Sequence, residues 1–140
     1  MITKSEKETR AYAARFARKL KGGEVFVFTG DLGGGKTTFT RGLAEGLQLD
    51  GAVTSPTFVI MQIYKPRAGA HKKLTLYHFD LYRIKDANEL FNLGFEDFLN
   101  DKNAVIVLEW GEKFLDTLPS DTKQIFFKNL GGEKREIIVK

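Results

Sequence analysis

The sequence predicts an α/β fold with three layers and a mixed parallel and antiparallel sheet, and two observations support this prediction. An apolar β-rich run at residues 25–28 is followed by a glycine-rich turn and then by apolar residues at helical spacing, which is the order of a βα unit. Later in the chain, two pairs of β-rich runs have hairpin turn residues between them: 58–64 with 74–82, and 123–130 with 135–140. A βα unit combined with hairpins favours a mixed sheet over a purely parallel one.

Length and composition predict a single globular domain spanning residues 1–140, a common domain size. The 42% hydrophobic and 29% charged residues are ordinary for a soluble protein, and the absence of cysteine excludes disulfides and thiolate metal sites. No apolar run reaches the length of a membrane span, and the charged N-terminal segment lacks the apolar core of a secretory signal. We therefore expect a cytoplasmic protein without membrane contact.

The net charge of +4 is unevenly distributed along the chain. Residues 1–23 carry seven Lys/Arg against two Glu, and a second basic cluster consists of Lys65, Arg67, Lys72 and Lys73. Basic clusters bind nucleic acid or acidic protein surfaces, but they also occur on solvated helix faces and loops. The charge alone therefore does not identify a partner.

The first helix is predicted by a capping box, Ser5-x-x-Glu8, at the start of an amphipathic segment. Three large apolar side chains follow at four-residue spacing on one face: Tyr12, Phe16 and Leu20. We expect this helix to end at Gly22-Gly23. The second helix follows the glycine-rich turn, with Phe39, Leu43 and Leu47 on one face, and ends between Gly46 and Gly51.

The second half of the chain alternates between predicted strands, loops and short helices. Pro56 biases Ser55 away from helix and predicts a turn at 54–57. The remaining predicted elements are, in order, a strand at 58–64, an exposed basic loop at 65–73, a strand at 74–82, a helix at 86–100 interrupted at Gly94, a buried strand at 104–108, a short helix at 112–118 closed by Pro119, and the terminal hairpin.

Residues 30–37 match the phosphate-binding loop G-x-x-x-x-G-K-[ST], between the strand and the helix that this loop requires. Four glycines let the backbone N–H groups surround an anion, and the following helix N-terminus adds partial positive charge. Lys36 would contact the β- and γ-phosphates, and the Thr37 hydroxyl would ligate Mg²⁺. We therefore predict a P-loop NTPase fold that binds a nucleoside triphosphate through Asp31, Leu32, Gly33, Gly34, Gly35, Lys36, Thr37 and Thr38.

A P-loop needs a second acidic group to hold Mg²⁺ or to position the attacking water, and the sequence offers two candidates. Glu109 follows the apolar run 105–108, at the strand end where sites gather in α/β sheets. Asp80 ends another predicted strand, although an ordinary pairing with Arg83 explains it equally well. Both carboxylates are candidate Mg²⁺ ligands. Two interpretations of Trp110 are open: it packs on a bound nucleotide or partner, or it belongs to the core.

Four segments together resemble the motifs of the TsaE family, and their order and spacing extend the resemblance over nearly the whole chain. The P-loop alone is unspecific, whereas the combination with the other three is much more selective. The segments are Gly30 to Thr38, Thr54-Ser55-Pro56-Thr57-Phe58, His78-Phe79-Asp80-Leu81-Tyr82-Arg83, and Leu108-Glu109-Trp110. In this family the P-loop often has alanine at the position of Gly34.

The resemblance implies a bacterial ATPase that binds ATP with Mg²⁺ and hydrolyses it weakly on its own. It implies association with a two-subunit threonylcarbamoyl transferase, with subunits of the TsaB and TsaD type, which modifies tRNA and needs the ATPase for repeated turnover. The chain would reach tRNA only through that complex. By match, Lys36 holds the phosphates, Asp80 belongs to a switch-like segment, Glu109 and Trp110 form the strand-end motif, and Ser55 lies beside the phosphates.

The expected mechanism is in-line attack of water on the γ-phosphate, with Lys36 stabilising the spreading charge and Asp80 or Glu109 orienting the water. Arg83 is a candidate arginine finger within the chain, and a partner could supply one instead. Two other functions are compatible with parts of the sequence. A small-molecule kinase shares the loop but usually has an arginine-rich lid, and a nucleotide-gated RNA-binding module would use the basic clusters.

Overall fold

The computed structural model describes residues 1–54 and 60–140, which build a seven-stranded sheet covered by helices on both faces. The strands lie in the order β1-β7-β6-β2-β5-β4-β3. Their bounds are β1 Ile2–Thr3, β2 Val25–Gly30, β3 Met61–Tyr64, β4 Thr75–Asp80, β5 Ala104–Glu109, β6 Lys123–Gly131 and β7 Lys134–Val139.

The sheet is mixed, as the sequence predicts. Strand β2 pairs in parallel with β5 and β6, and β4 pairs in parallel with β5. The β3–β4 and β6–β7 pairs are antiparallel, which confirms both predicted hairpins. The sequence did not predict β1, a two-residue strand that pairs antiparallel with β7.

The helices occur where the periodicity places them, with bounds α1 Glu6–Ala17, α2 Lys36–Gly46, α3 Ala87–Asn92 and α4 Phe95–Leu99, and a 3-10 helix at Glu112–Thr117. The predicted interruption at Gly94 is confirmed: this residue has a φ of 79° and separates α3 from α4. In the part of the chain that the structure describes, none of these helices is long and apolar enough to cross a bilayer.

Helix α1 begins as predicted but ends earlier than predicted. The Ser5 side chain caps it by accepting a hydrogen bond from the Glu8 backbone N–H at 3.1 Å. The predicted continuation to Gly22 is wrong, because the chain leaves the helix after Ala17 through tighter turns. The Lys72 ammonium donates to the carbonyl oxygens of Arg18 and Leu20, which the shortened helix leaves available.

Two further bounds differ from prediction. The strand predicted at 74–82 ends at Asp80, because the Asp80 carboxylate accepts a hydrogen bond from the Tyr82 N–H at 2.9 Å and turns the chain. The segment predicted as an ordinary short helix at 112–118 is a 3-10 helix. Residues 55–57 of the turn predicted at 54–57, and the first two residues of the strand predicted at 58–64, lie outside the described residues.

Side chains alternate across the sheet and form two apolar layers. The near face, which we define as the face covered by α1 and α2, packs against residues such as Phe26, Phe28, Phe39 and Leu43. The far face, covered by α3, α4 and the 3-10 helix, packs against residues such as Phe79, Leu108, Phe95 and Phe114. This arrangement is the three-layer architecture that the sequence predicts.

Candidate nucleotide-binding site

The glycine-rich loop connects the end of β2 to the start of α2 at the carboxyl edge of the parallel strands. Gly35 forms the N-cap of α2 with a φ of 103°, a conformation that L side chains rarely adopt, and its carbonyl accepts a hydrogen bond from Phe39 N at 2.8 Å. The first N–H groups of an α-helix have no partner within the helix, so this end of α2 is suited to bind an anion.

Lys36 is held at the loop by two contacts. Its ammonium donates to the Gly30 carbonyl oxygen at 2.8 Å and lies 5.6 Å from the centroid of the Trp110 ring. Trp110 has a φ of 60°, is 46% exposed, and stacks edge-on against Tyr82 at 5.1 Å. Lys36 and these two aromatic side chains therefore lie at the mouth of one cleft.

Asp80 and Glu109 end two neighbouring parallel strands and are paired in register. Both are almost fully buried, and strand alternation places both on the near face. One Asp80 oxygen accepts the Tyr82 N–H, whereas Glu109 Oε1 has no hydrogen-bond partner among residues 1–54 and 60–140. Glu109 Oε1 lies 3.4 Å from His78 Nε2. The structure therefore brings together the two carboxylates that the sequence singled out.

These groups line a cleft of about 560 Å³, within the range of small-molecule sites. Most of the predicted site residues line it: Leu32, Gly33, Gly35, Lys36, Thr37, Thr38, Asp80, Glu109 and Trp110. Ser55 lies outside the described residues. Arg83 is exposed and is not among the lining residues.

Two predicted loop residues do not line the cleft. The Asp31 side chain is exposed, and its carbonyl accepts a hydrogen bond from Gly34 N at 3.0 Å, which closes the turn. Gly34 is buried behind the loop, where an added Cβ atom would lie 3.3 Å from Phe127 Cβ. Both residues shape the loop, and their backbone N–H groups remain predicted contacts.

Sequence reasoning missed one wall of the cleft. The cleft is also lined by Glu6 and Thr9 at the start of α1 and by Glu133 and Arg135 at the terminal hairpin. An added Cβ atom at Gly35 would lie 3.5 Å from Cγ of Arg135, so this arginine lies directly over the loop. No local signal marks these residues, because Glu133 and Arg135 reach the cleft through the pairing of β6 beside β2, and Glu6 and Thr9 reach it through the packing of α1 on α2.

The donor groups in the cleft fit a magnesium ion better than a transition metal. The described residues contain no group of three or more His, Cys, Asp or Glu side chains that could hold a metal alone. Mg²⁺ usually binds one or two carboxylates together with substrate phosphates and water. The Thr37 hydroxyl and the Asp80 and Glu109 carboxylates, all lining one cleft, provide oxygen ligands of that kind.

The strand, glycine-rich loop, helix and loop lysine, placed at one edge of a mixed sheet, define a P-loop nucleotide-binding protein. The family model described as "Threonylcarbamoyl adenosine biosynthesis protein TsaE" matches residues 3–137. The chain therefore belongs to the TsaE family, which confirms the resemblance seen in its motifs.

Curated relatives match over nearly the whole chain. The tRNA threonylcarbamoyladenosine biosynthesis protein TsaE of Bacillus subtilis is 40% identical over 96% of this chain and 80% of its own length. The proteins of the same name from Treponema pallidum and Streptomyces coelicolor are 36% and 43% identical, covering 99% and 89% of this chain and 97% and 81% of their own.

A solved structure has the same fold. The crystal structure of YdiB from Bacillus subtilis superposes with a TM-score of 0.73 at 34% identity, covering 98% of this chain and 80% of that chain. The predicted P-loop NTPase fold is thereby confirmed.

Proposed function

We propose that this chain binds ATP with Mg²⁺, hydrolyses it slowly, and serves the biosynthesis of threonylcarbamoyladenosine in tRNA. The biological role is inferred from its family and from the names of its relatives. The observation that supports hydrolysis is the convergence of the loop lysine, the loop threonine and two buried carboxylates on one cleft. A binding loop alone would not require the carboxylates.

Each group has a separate part in the proposed reaction. The loop N–H groups and the Lys36 ammonium, released from the Gly30 carbonyl, contact the phosphate oxygens and stabilise their growing charge. Thr37 and Asp80 would hold Mg²⁺, which supplies further charge neutralisation on the phosphates. Glu109, whose side chain lines the cleft beside Asp80, orients the attacking water.

The open mouth of the cleft gives a physical reason for weak activity in isolation. Leu32, Tyr82 and Trp110 are 95%, 65% and 46% exposed at this mouth, so water reaches the phosphates freely. We propose that a threonylcarbamoyl transferase of two subunits, of the TsaB and TsaD type, covers these side chains and completes the site. Contact with tRNA would then be indirect.

The fold argues against the small-molecule kinase alternative, because the basic loop that could serve as its lid lies away from the P-loop. The basic loop 65–73 precedes the amino end of β4, whereas Asp80 and the P-loop lie at the carboxyl edge of the sheet. Lys72 in that loop bonds to the end of α1 and so lies far from a position over the phosphates. The same bond brings the two basic clusters together, which keeps direct RNA binding as a second candidate.

The test is ATP hydrolysis by the purified chain, alone and with the transferase heterodimer, compared with Lys36→Ala. Lys123→Ala is the matched control, because Lys123 is exposed at the amino end of β6, away from the cleft. We expect the heterodimer to raise the hydrolysis rate of the wild type and of Lys123→Ala. Lys36→Ala should stay at the background rate measured without enzyme.

Two results would contradict the proposal. ATP binding without any stimulation would favour the kinase, and a phosphorylated product in a substrate screen would establish it. Tight binding of tRNA by the chain alone, with a steep dependence on salt, would favour the RNA-binding module.

A further inference from the structure

His78 is a fully buried titratable residue to which the proposed mechanism gives no role. It lies on β4, two residues before Asp80, and therefore points to the same near face of the sheet. Its neighbours in register on the flanking strands are Gln62 on β3 and Val107 on β5. The ring is thus enclosed by the sheet and its helical cover, directly beneath the carboxylates of the cleft.

One ring nitrogen of His78 lies close to a carboxylate oxygen. Nε2 lies 3.4 Å from Glu109 Oε1, a little longer than a typical N–H···O hydrogen bond. Among residues 1–54 and 60–140, neither ring nitrogen of His78 has a hydrogen-bond partner, and this carboxylate oxygen has none either. Because buried polar atoms are nearly always paired, two orphaned atoms at this distance mark one interaction.

We propose that His78 donates a hydrogen bond from Nε2 to the Glu109 carboxylate and fixes the orientation in which that carboxylate meets the attacking water. This inference rests on the proposed ATPase function. His78 is buried and is not among the residues that line the cleft, so it acts as a positioning residue.

The strand geometry makes His78 suited to this role. Glu109 is the last residue of β5, and its carboxylate lies at the boundary between the buried near face and the cleft. The His78 ring, by contrast, is 0% exposed and cannot change its rotamer without disturbing the near-face core. A rigid donor beside the carboxylate restricts the orientations that the acceptor can take, as supporting residues do behind metal ligands.

The first test asks which ring nitrogen carries the proton and does not depend on ATP hydrolysis. The chain has only two histidines, so His71→Gln, in the exposed basic loop, leaves a single imidazole to observe. Long-range ¹H–¹⁵N spectra of this variant should show a proton on Nε2 whose shift changes when Glu109→Leu removes the acceptor. A bare Nε2 with the proton on Nδ1 would overturn the proposal.

The second test compares two substitutions of His78 in ATP hydrolysis stimulated by the transferase. The amide nitrogen of Gln occupies nearly the place of Nε2, whereas Phe fills the same space without a donor. We expect His78→Phe to lower kcat about tenfold or more with little change in KM, and His78→Gln to restore most of the rate.

The outcomes separate the inference from the function on which it rests. If the wild type stays at the Lys36→Ala blank, the proposed function fails and the positioning role fails with it. If the wild type is active and folded His78→Phe has the same kcat, only the positioning role is overturned. Should His78→Phe not fold, equal kcat for His78→Gln and His78→Leu would overturn it instead.

Discussion

Both faces of the sheet carry a buried apolar cluster, but they differ in the side chains at the carboxyl edge. On the near face, the apolar rows of β4 and β5 give way to three titratable groups: His78, Asp80 and Glu109. On the far face, the same strands continue with Phe79, Leu81 and Leu108 into a wholly apolar cluster. The alternation of side chains along β4 and β5 thus places the titratable groups on one face and the apolar packing residues on the other.

One strand can therefore contribute to stability through the side chains of one face and to function through those of the other. Far-face side chains hold β4 and β5 in register, and near-face side chains use that register to align two carboxylates. We therefore expect far-face substitutions to change the free energy of unfolding and near-face polar substitutions to change the rate. The following predictions test this separation, from the largest expected effect to the smallest.

Phe95→Ala should destabilise the protein by about 3–5 kcal/mol, because it removes a large buried side chain. Phe95 lies in α4 on the far face and stacks against Phe79 at 5.2 Å. Urea unfolding measures the loss, and the ATPase rate per folded molecule should remain that of the wild type. A matched fall in kcat at temperatures where the variant is folded would break the separation.

Glu109→Gln should lower the partner-stimulated rate about 100-fold, equivalent to about 2.7 kcal/mol in the activation barrier. Nucleotide affinity and the unfolding free energy should change little, since the amide keeps the shape of this buried side chain. Glu112→Gln, just beyond the cleft in the 3-10 helix, is the control and should keep the full rate. A large loss of stability in Glu109→Gln would mean that the near face is structural as well.

Tyr77→Phe should cost about 1 kcal/mol at neutral pH, because the hydroxyl donates to the Asp101 carboxylate at 3.0 Å on the far face. Burial, followed by this hydrogen bond, raises the pKa of Tyr77 above 10.0. The folded state therefore holds the phenol proton more tightly than the unfolded chain. Its stabilisation is complete below pH 10 and is lost as the pH rises through the folded pKa. Urea midpoints between pH 7 and pH 11 should show this additional decline in the wild type and not in Tyr77→Phe.

The Arg10–Glu45 ion pair, which joins α1 to α2 outside the near face, should contribute less than about 1 kcal/mol. Both side chains are more than 40% exposed, so water and salt screen their attraction. A double-mutant cycle with alanine at both positions measures the coupling, which should fade in 1 M NaCl. A coupling above 2 kcal/mol would place this pair among the main supports of the near face.

Arg83→Ala tests the role of an arginine finger within the chain. We expect it to bind ATP and reach the full stimulated rate, because Arg83 does not line the cleft. Arg135→Ala is the comparison. Because Arg135 lies over the loop, its removal should weaken nucleotide binding. A slow Arg83→Ala with normal binding would restore Arg83 as the finger.

Much of the near face could be predicted because its signals are local. The Ser5–Glu8 cap, the loop at residues 30–37 and the strand ending at Glu109 each follow from a few adjacent residues. The early end of α1 could not be predicted, because the ammonium that binds its last carbonyls comes from Lys72, more than 50 residues away.

The site residues that could not be predicted are also brought together by contacts between distant parts of the chain. Arg135 and Glu133 reach the cleft only because β6 pairs in parallel with β2, and Thr9 reaches it because α1 packs on α2. The role of His78 was also hidden, since its closeness to Glu109 depends on the register of β4 against β5. Sequence patterns fix which face a side chain occupies, while register decides which side chains meet.

Trp110 gives the molecule a built-in optical reporter. It is the only tryptophan in the chain, and its ring lies between solvent, Tyr82 and the Lys36 ammonium at the mouth of the cleft. A ligand that draws the ammonium onto its phosphates, or a subunit that covers the ring, changes the polarity and quenching around the indole. Intrinsic emission excited at the red edge of the indole band would therefore follow occupancy of the cleft without any label.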